Sequence, residues 1–251
     1  MMFYSKKLKK FKEIKHCFFS RRRGFSKGIY KSLNCGRGSN DKKKTIQKNL
    51  NYVSKKMRIN LGHLILMHQT HSNKVQEINK NNFRRTVYSD SIVTRMNQIA
   101  LGVVTADCVP ILVFDKKNKI IGCIHAGWKG ALTGIIKNTI LKMKKFKLRN
   151  ELYASVGPCI GKKNYEVDND FFKKFMLKSK KNRRYFSKKN KKKKLFNLRK
   201  FVSDKLLEMK VKIDHVNRDT FKETNLFFSH RRSKFLKQKD YGRCISVIRL
   251  I

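Results

Sequence analysis

The side chains best suited to chemistry are a few histidines and cysteines that follow short apolar stretches of the chain. His68 and His71 stand in MHQTHS, Cys108 in TADC and His125 in IHAGW, and the chain has seven histidines in all. Imidazole and thiolate both bind zinc, and three such ligands with one open position form a typical catalytic zinc site. Such a site lowers the pKa of a bound water toward about 7. The residue types therefore predict a metal site at His71, Cys108 and His125.

The choice of His71 over its neighbour depends on the local secondary structure. The segment LILMHQTH, residues 64–71, begins with an aliphatic run that is typical of a strand. Side chains alternate between the faces of a strand, so Gln69 and His71 share one face and His68 lies on the other. A helix would instead place both histidines on one face. The aliphatic run favours the strand and His71, and it makes Gln69 a candidate for supporting the site or contacting substrate.

Two other interpretations of these residues stay open at this point. Cys108 could be a nucleophilic thiolate that His125 or His71 activates, as in Cys/His hydrolases. That alternative conflicts with the metal site, because a thiolate bound to zinc is a poor nucleophile. Equally, Cys108 could be a small buried residue and the histidines ordinary core or surface side chains, since the sequence has no local signature such as CxxC or HExxH.

Asp107 directly precedes Cys108 and has two possible roles. It could accept a hydrogen bond from a ligand histidine and so fix the tautomer of that imidazole. It could equally be the aspartate of a tight turn, where this residue type is common.

Cations and glycines near these segments are candidates for holding a phosphate. Gly127, Lys129 and Gly130 precede a predicted helix, and the first N–H groups of a helix can receive an anion. Arg231 and Arg232 in SHRRS offer guanidinium groups that can clamp an anion. The competing explanations are a glycine turn and ordinary exposed arginines.

The elements that position these residues follow from the hydrophobic pattern. Short apolar runs predict strands in five segments, which are residues 64–75, 100–115 with a break at 106–108, 119–128, 152–161 and the C-terminal CISVIRLI. Apolar residues from Leu132 to Met143 recur on one helical face, which predicts a helix to about Phe146, and residues 195–210 are a second predicted helix. The mixture predicts a mixed α/β fold with one domain at residues 16–251, preceded by a flexible basic leader at residues 1–15.

The net charge is large, but its composition gives little guidance to function. The 251 residues include 63 Lys+Arg and 16 Asp+Glu, for a formal charge of +47, and Lys outnumbers Arg by 46 to 17. Lys, Asn, Ile and Phe all have A/T-rich codons, so drift in base composition explains the excess, and Arg would be preferred for reading nucleic acid. The run at residues 173–194 carries thirteen Lys/Arg, whose repulsion favours a solvated loop or linker. We therefore expect small-molecule substrates rather than nucleic acid.

Cysteine usage and hydropathy bound the cellular setting. The six cysteines are widely spaced, and a chain of this length builds a core without disulfides, so we interpret them as reduced thiols. The N-terminus lacks the apolar stretch of a secretory signal. The sequence also contains no run of about 18 apolar residues, so we expect no membrane span. These features predict a cytoplasmic protein.

Six segments make the sequence similar to a known family. They are SRRRGFSKGIYKSLNCG, HQTHSNKV, LGVVTADCVPILVFD, IGCIHAGWKGALTGII, VGPCIGKKNYEV and FFSHRRSKFLKQKDYGRCISVI. In this order they resemble the bacterial laccase-domain proteins, which are described as polyphenol oxidases and as purine nucleoside phosphorylases with adenosine deaminase activity. The resemblance runs from Cys17 to the C-terminus, and the combination of TADC, HAGWKG and GPCIG is highly specific.

The resemblance implies a fold, a site and an activity. It implies a compact α/β/β/α arrangement, in which mixed sheets lie between helices, and it makes His71, Cys108 and His125 the metal ligands. The implied metal is zinc, with copper as the alternative. The implied reactions are phosphorolysis of adenosine, inosine and S-methyl-5′-thioadenosine and deamination of adenosine. The same arrangement is similar to Cys/His deamidase toxins, so a Cys/His amide hydrolase is one alternative function, and a copper-dependent polyphenol oxidase is another. The basic composition leaves an RNA-binding protein as the non-enzymatic alternative.

The sequence departs from the family pattern at two positions. His230 stands where the family usually has a tyrosine before the paired arginines, and Lys222 stands where an acidic residue is expected. The first change bears on substrate packing and the second on the surface. Neither affects the implied ligands.

Overall fold

Two six-stranded sheets packed face to face form the centre of the fold. The computed structural model describes residues 1–146 and 150–251. With strands numbered in chain order, the first sheet runs β1 (Met2–Phe3), β2 (Ile14–Phe19), β15 (Cys244–Leu250), β7 (Ala100–Thr105), β3 (Leu64–His68), β5 (Val87–Tyr88). The second sheet runs β14 (Lys212–His215), β10 (Leu152–Val156), β8 (Val109–Asp115), β9 (Ile120–Ala126), β6 (Ser91–Thr94), β4 (Val75–Ile78).

Helices and a small third sheet surround these two sheets. The third sheet runs β11 (Glu166–Asp168), β13 (Lys193–Phe196), β12 (Phe186–Lys188). The α-helices are α1 (Lys43–Met57), α2 (Trp128–Thr133), α3 (Ile135–Lys144), α4 (Asn169–Lys178), α5 (Leu198–Glu208) and α6 (His230–Phe235).

Three apolar clusters show the order of the layers. Helix α1 buries Ile46 and Leu50 against Val247 on the outer face of the first sheet. Residues of both sheets meet in a second cluster, and helices α3 and α5 cover the far face of the second sheet in a third. The order is helix, sheet, sheet, helix, so the α/β/β/α arrangement expected from the sequence is confirmed.

Strand β8 shows why the central strands read as continuous apolar runs. Val109, Ile111 and Val113 face the helices, whereas Leu112 and Phe114 face the first sheet. A strand that is covered on both faces needs apolar side chains at both alternating sets of positions. The break that the sequence predicts at residues 106–108 is confirmed as the turn between β7 and β8.

The helix predicted to run to about Phe146 differs from the structure in one respect. Gly134 divides it into α2 and α3, and its φ of +103° lies in the left-handed region that favours glycine. The apolar spacing continues across this residue, with Ile135, Ile136 and Ile140 buried, which is why the pattern alone did not reveal the break.

The lysine-rich run is built into secondary structure and is not a loop. It spans the end of α4, a 3₁₀ helix and the β12–β13 hairpin. Phe175, Tyr185 and Phe196 anchor these elements in the core, whereas most lysines of the run are exposed. Three buried aromatic rings outweigh charge repulsion between side chains that remain in solvent.

The N-terminal residues also differ from the flexible leader predicted at residues 1–15. Strand β1 pairs with β2, and Leu8 is fully buried between the sheets. The hydroxyl of Ser5 donates to Asp214, and the Ser5 N–H donates to Nε2 of the buried His16 at 2.9 Å. These anchors lack periodicity, so the sequence pattern does not show them.

The contact between Ser5 and His16 predicts a loss of stability in acid. Burial lowers the pKa of His16 to about 4, although Asp214 opposes the shift. The unfolded chain takes up this proton near pH 6.5 and the folded chain only near pH 4, so stability falls as the pH drops through that window. The contribution is about 3 kcal/mol at most. Urea unfolding of wild type and His16→Gln at pH 7 and pH 4.5 tests this. A smaller loss in the variant is expected, and equal losses would contradict the assignment.

Candidate metal centre

Two loops and the end of one strand bring the predicted ligands together. His71 lies in the loop between β3 and β4, Cys108 just before β8, and His125 near the end of β9. Strands β8 and β9 are antiparallel with Val109 opposite Ala126, so Cys108 comes next to Gly127 and His125. One ligand atom from each of His71, Cys108 and His125 lies within 4.8 Å of the others. The rival His68 is exposed and packs against Tyr88 instead.

Gly127 provides space for the side chains of His71 and Cys108. A Cβ added at this residue would lie 2.6 Å from Nδ1 of His71 and 3.1 Å from Sγ of Cys108. Its φ of −70° suits any residue, so close approach and not backbone conformation requires the glycine.

The donor set fits a metal ion. His71 is exposed, Cys108 partly buried and His125 buried, so the group opens to one side. The two imidazoles lie nearly perpendicular, with ring centroids 4.7 Å apart. Two imidazoles and a thiolate suit zinc and are also accepted by copper. Within the described ranges, this is the one group of three such residues close enough to share an ion.

A buried carboxylate that the sequence pattern does not reveal connects the loop of His71 to strand β9. Asp90 is fully buried, and its Oδ1 accepts hydrogen bonds from Nδ1 of His125 at 2.7 Å and from the His71 N–H at 3.0 Å. Strand β6 pairs with β9 so that Ser91 lies opposite Ile124, which places Asp90 beside His125. The short run SIVT directly after an aspartate is the one signal that could have indicated this neighbour.

The electrostatics of the site follow from these contacts. Burial opposes ionisation of Asp90, but hydrogen bonds from His125 and Ser72 hold the pKa of its carboxyl far below the ordinary value. Burial acts to lower the pKa of His125, yet Cys108 and Asp90 together raise it to about 9. Although the His71 side chain is open to solvent on one side, partial desolvation by the atoms packed around it and the nearby His125 lower its pKa. The two histidines therefore differ, because the pKa of His125 is raised and the pKa of His71 is lowered.

Asp107 is the aspartate of a tight turn, and it is not the carboxylate that holds a ligand histidine. Its φ of +85° lies in the left-handed region. Its carboxylate accepts from the hydroxyls of Thr220 at 2.7 Å and Ser229 at 2.9 Å and from the Arg231 N–H at 2.6 Å. These bonds join the β7–β8 turn to the start of α6. The prediction that it could fix a histidine tautomer is wrong, because Asp90 is the partner of His125.

Gln69 supports the loop through the backbone. Its Nε2 donates to the Val104 carbonyl at 2.8 Å, and its Oε1 accepts from the Val104 N–H at 3.0 Å. The amide therefore continues the contact between these two chain segments beyond the last paired residues of β3 and β7, Leu66 and Gly102. It holds the chain that leads to His71.

The predicted cations have different environments. Arg231 lines the cavity above the metal group, donates to the Glu166 carbonyl at 2.7 Å and stacks on Tyr165 with 5.3 Å between guanidinium and ring centroid. The Arg232 guanidinium donates to backbone carbonyls of residues 220, 221 and 227, so it anchors a loop. Lys129 is exposed in the first turn of α2, a helix of six residues.

The metal group lies in the wall of a cavity of about 1210 Å³. Trp128, Tyr165 and Phe171 form an aromatic wall beside it, with the Trp128 and Phe171 rings 4.8 Å apart. His230 and Tyr241, whose rings are 4.9 Å apart, line the cavity too. A volume of this size accommodates a ligand larger than a single nucleobase.

Comparisons with known proteins agree with this architecture. A family model described as multi-copper polyphenol oxidoreductase laccase matches residues 15–251. The chain is 35% identical over 187 residues to a purine nucleoside phosphorylase of Rickettsia prowazekii, covering 74% of this chain and 77% of that protein. It is 30% identical over 239 residues to a purine nucleoside phosphorylase of Haemophilus influenzae, covering 93% of each.

A solved structure supports the same relationship. A Neisseria meningitidis protein assigned to the family DUF152 superposes with a TM-score of 0.85 at 28% identity, covering 95% of each chain.

Among the residues that the structure describes, no helix is both long and apolar enough to cross a membrane.

Proposed function

We propose that this chain, which belongs to the multi-copper polyphenol oxidoreductase laccase family, is a metal-dependent purine nucleoside phosphorylase. Its substrates are adenosine, inosine and S-methyl-5′-thioadenosine with phosphate, and its products are the free base and the corresponding pentose 1-phosphate. It also deaminates adenosine by hydrolysis. We further propose zinc as its metal, with copper as the alternative, and the cytoplasm as its location.

The observation that supports this proposal most directly is the metal group beside an aromatic cavity. Ligand atoms of His71, Cys108 and His125 lie within 4.8 Å of one another, and Trp128 and Phe171 stand in the same cavity wall. These three residues would hold the ion. A bound divalent cation supplies Lewis acidity and lowers the pKa of water.

The other side chains have roles in binding and orientation. In phosphorolysis the bond from C1′ of the ribose to the purine nitrogen breaks, a phosphate oxygen bonds to C1′, and the base leaves with the electron pair and takes up a proton. Trp128, Tyr165 and Phe171 offer faces against which a purine can stack. The guanidinium of Arg231 offers charge for the phosphate. Asp90 holds His125 in place.

A purified-protein experiment tests the proposal. Metal analysis is expected to give one zinc per chain, and adenosine is expected to yield adenine only when phosphate is present. Without phosphate, slow formation of inosine and ammonia reports the deaminase reaction. Release of adenine that is independent of phosphate would contradict phosphorolysis.

The proposed phosphate site, which consists of Arg231 with Lys129 as the second candidate cation, gives a further prediction. Arg231→Ala should raise the KM for phosphate by about tenfold or more, because a hydrogen bond to a charged group contributes about 1.5–3 kcal/mol. Lys129→Ala, in the exposed first turn of α2, should have the smaller effect. Steady-state kinetics at varied phosphate measure both. Arg95→Ala is the control, because this exposed residue follows β6 at the end opposite Asp90. Unchanged values for both Arg231→Ala and Lys129→Ala would reject the proposed phosphate site.

An amide hydrolase is the second candidate, and one contact favours it. His125 pairs with Asp90 and hydrogen-bonds to Cys108, an arrangement that also suits a nucleophilic cysteine. Metal-free protein with Cys108-dependent amide hydrolysis would support this candidate.

The remaining alternatives are a copper-dependent polyphenol oxidase and an RNA-binding protein. Four-electron oxygen reduction needs several copper ions, whereas the described residues provide one three-ligand group. RNA retention that falls with salt, without turnover, would indicate the non-enzymatic alternative.

A further inference from the structure

We infer that Asp90 is the positioning residue of the metal group, because one buried carboxylate fixes both histidine ligands at once. The inference rests on the proposed metal site. It adds a residue outside the three ligands whose function is to hold them in the geometry that an ion requires.

The contact with His125 sets which ring nitrogen is available. An ionised carboxylate only accepts hydrogen bonds, so at 2.7 Å the Nδ1–H of His125 donates to Asp90 Oδ1. When the ring gives up its other proton, the lone pair is therefore on Nε2, which is the nitrogen left to bind an ion. The His125 N–H also donates to the Asp90 carbonyl at 2.7 Å, so backbone and ring are held by the same residue. Partners of this kind orient metal-bound imidazoles in many proteins.

The contact with the His71 loop sets the position of the second imidazole. His71 has a φ of +59°, a conformation that residues with a Cβ rarely adopt. Its N–H donates to Asp90 Oδ1 at 3.0 Å, and the N–H and hydroxyl of Ser72 each donate to Oδ2 at 2.6 Å. A single acceptor that gathers consecutive N–H groups stabilises this turn. The ring of His71 is thereby carried toward Cys108.

These two contacts make the ligand geometry depend on one side chain. Asp90 is fully buried, so no solvent replaces the carboxylate if it is lost. The Nδ1–H of His125 and the N–H groups of the loop would then lose their shared acceptor. Both imidazoles are expected to move, and the site would bind the ion less tightly even though all three ligands are present.

Metal affinity measured without nucleoside tests the inference. Zn²⁺ binding to wild type and Asp90→Asn is measured by competition with a chromophoric chelator, and Co²⁺ is used to record the absorption spectrum of the site. A loss of about 10–100-fold in Zn²⁺ affinity and a changed Co²⁺ spectrum are expected for Asp90→Asn. Ser72→Ala, which keeps the carboxylate but removes one donor, is expected to lose about threefold.

Asp115→Asn is the matched control. Asp115 is also fully buried and accepts the N–H groups of Lys117 at 3.1 Å and Glu151 at 3.3 Å, but it lies at the end of β8 away from Cys108. Its replacement should lower thermal stability and leave Zn²⁺ affinity unchanged.

The outcomes separate the inference from the proposed function. Unchanged Zn²⁺ affinity in both Asp90→Asn and Ser72→Ala would overturn the positioning role while the metal site stands. If Asp90→Asn does not fold, Ser72→Ala alone decides by the same criterion. A wild-type protein that binds neither Zn²⁺ nor Co²⁺ would overturn the metal site, and the positioning role with it.

Discussion

Replacing Cys108 by serine is expected to remove the bound metal and to lower phosphorolysis and adenosine deamination together by about 10³-fold or more. The thiolate is the anionic member of the donor set, and a serine hydroxyl stays neutral at pH 7 and binds zinc poorly. The side chains are similar in size, so the fold should be retained. Zinc content per chain and kcat/KM for adenosine, with and without phosphate, measure the two effects.

The control for this change is another cysteine close in the fold. Cys123 lies on β9, two residues before His125, and is fully buried. Cys123→Ala should retain zinc and turnover, although it removes a thiol from the same strand. If Cys108→Ser keeps its zinc and loses all turnover, Cys108 is not a required ligand and its thiol acts in the reaction in another way. If it keeps both zinc and turnover, Cys108 has no part in either chemistry.

The strands that carry the site could be predicted because burial on both faces leaves a clear record. Apolar runs of β7, β8 and β9 are bounded by polar turns, and Cys108 and His125 stand at or near their ends. The types of these two residues and their positions were sufficient to propose a metal group. For His71 the predicted alternation does not apply, because β3 ends at His68 and His71 lies in the loop that follows, although the structure does bring it together with Cys108 and His125.

Asp90 could not be predicted because its role depends on the pairing of strands distant in sequence. It stands 35 residues before His125, and only the register of β6 with β9 makes them neighbours. The residue type of His71 likewise does not predict its left-handed backbone conformation. Asp107, which adjoins Cys108 in sequence, was the more obvious partner, yet its carboxylate is directed to the start of α6.

The large positive charge bears on function through only a few of its side chains. Most of the lysine-rich run lies on exposed faces of α4 and the β12–β13 hairpin, where charge is screened by solvent. Arg231 differs because it lines the cavity and stacks on Tyr165. The general field can attract anionic substrates. In the function proposed above, this placed guanidinium is the cation that would bind a phosphate near the metal group.

Replacing Gly127 by alanine is the second change with a large expected effect, although it adds a single methyl group. The new Cβ would lie 2.6 Å from Nδ1 of His71, closer than real Cβ contacts allow, and 3.1 Å from Sγ of Cys108. His71 must therefore move, and its loop is tied to Asp90 by hydrogen bonds that resist the shift. Zn²⁺ affinity is expected to fall by about 100-fold or more, with a parallel loss of phosphorolysis.

The effect on the metal is expected to exceed the effect on folding. Gly127 has a φ of −70° that alanine adopts freely, so the backbone itself has no reason to unfold. Gly62→Ala is the control, because an added Cβ there meets no atom within 4 Å. Chelator competition and thermal unfolding of both variants measure the two quantities. Unchanged Zn²⁺ affinity with alanine at residue 127 would contradict the expectation that the close approach of Gly127 to His71 and Cys108 is needed for metal binding.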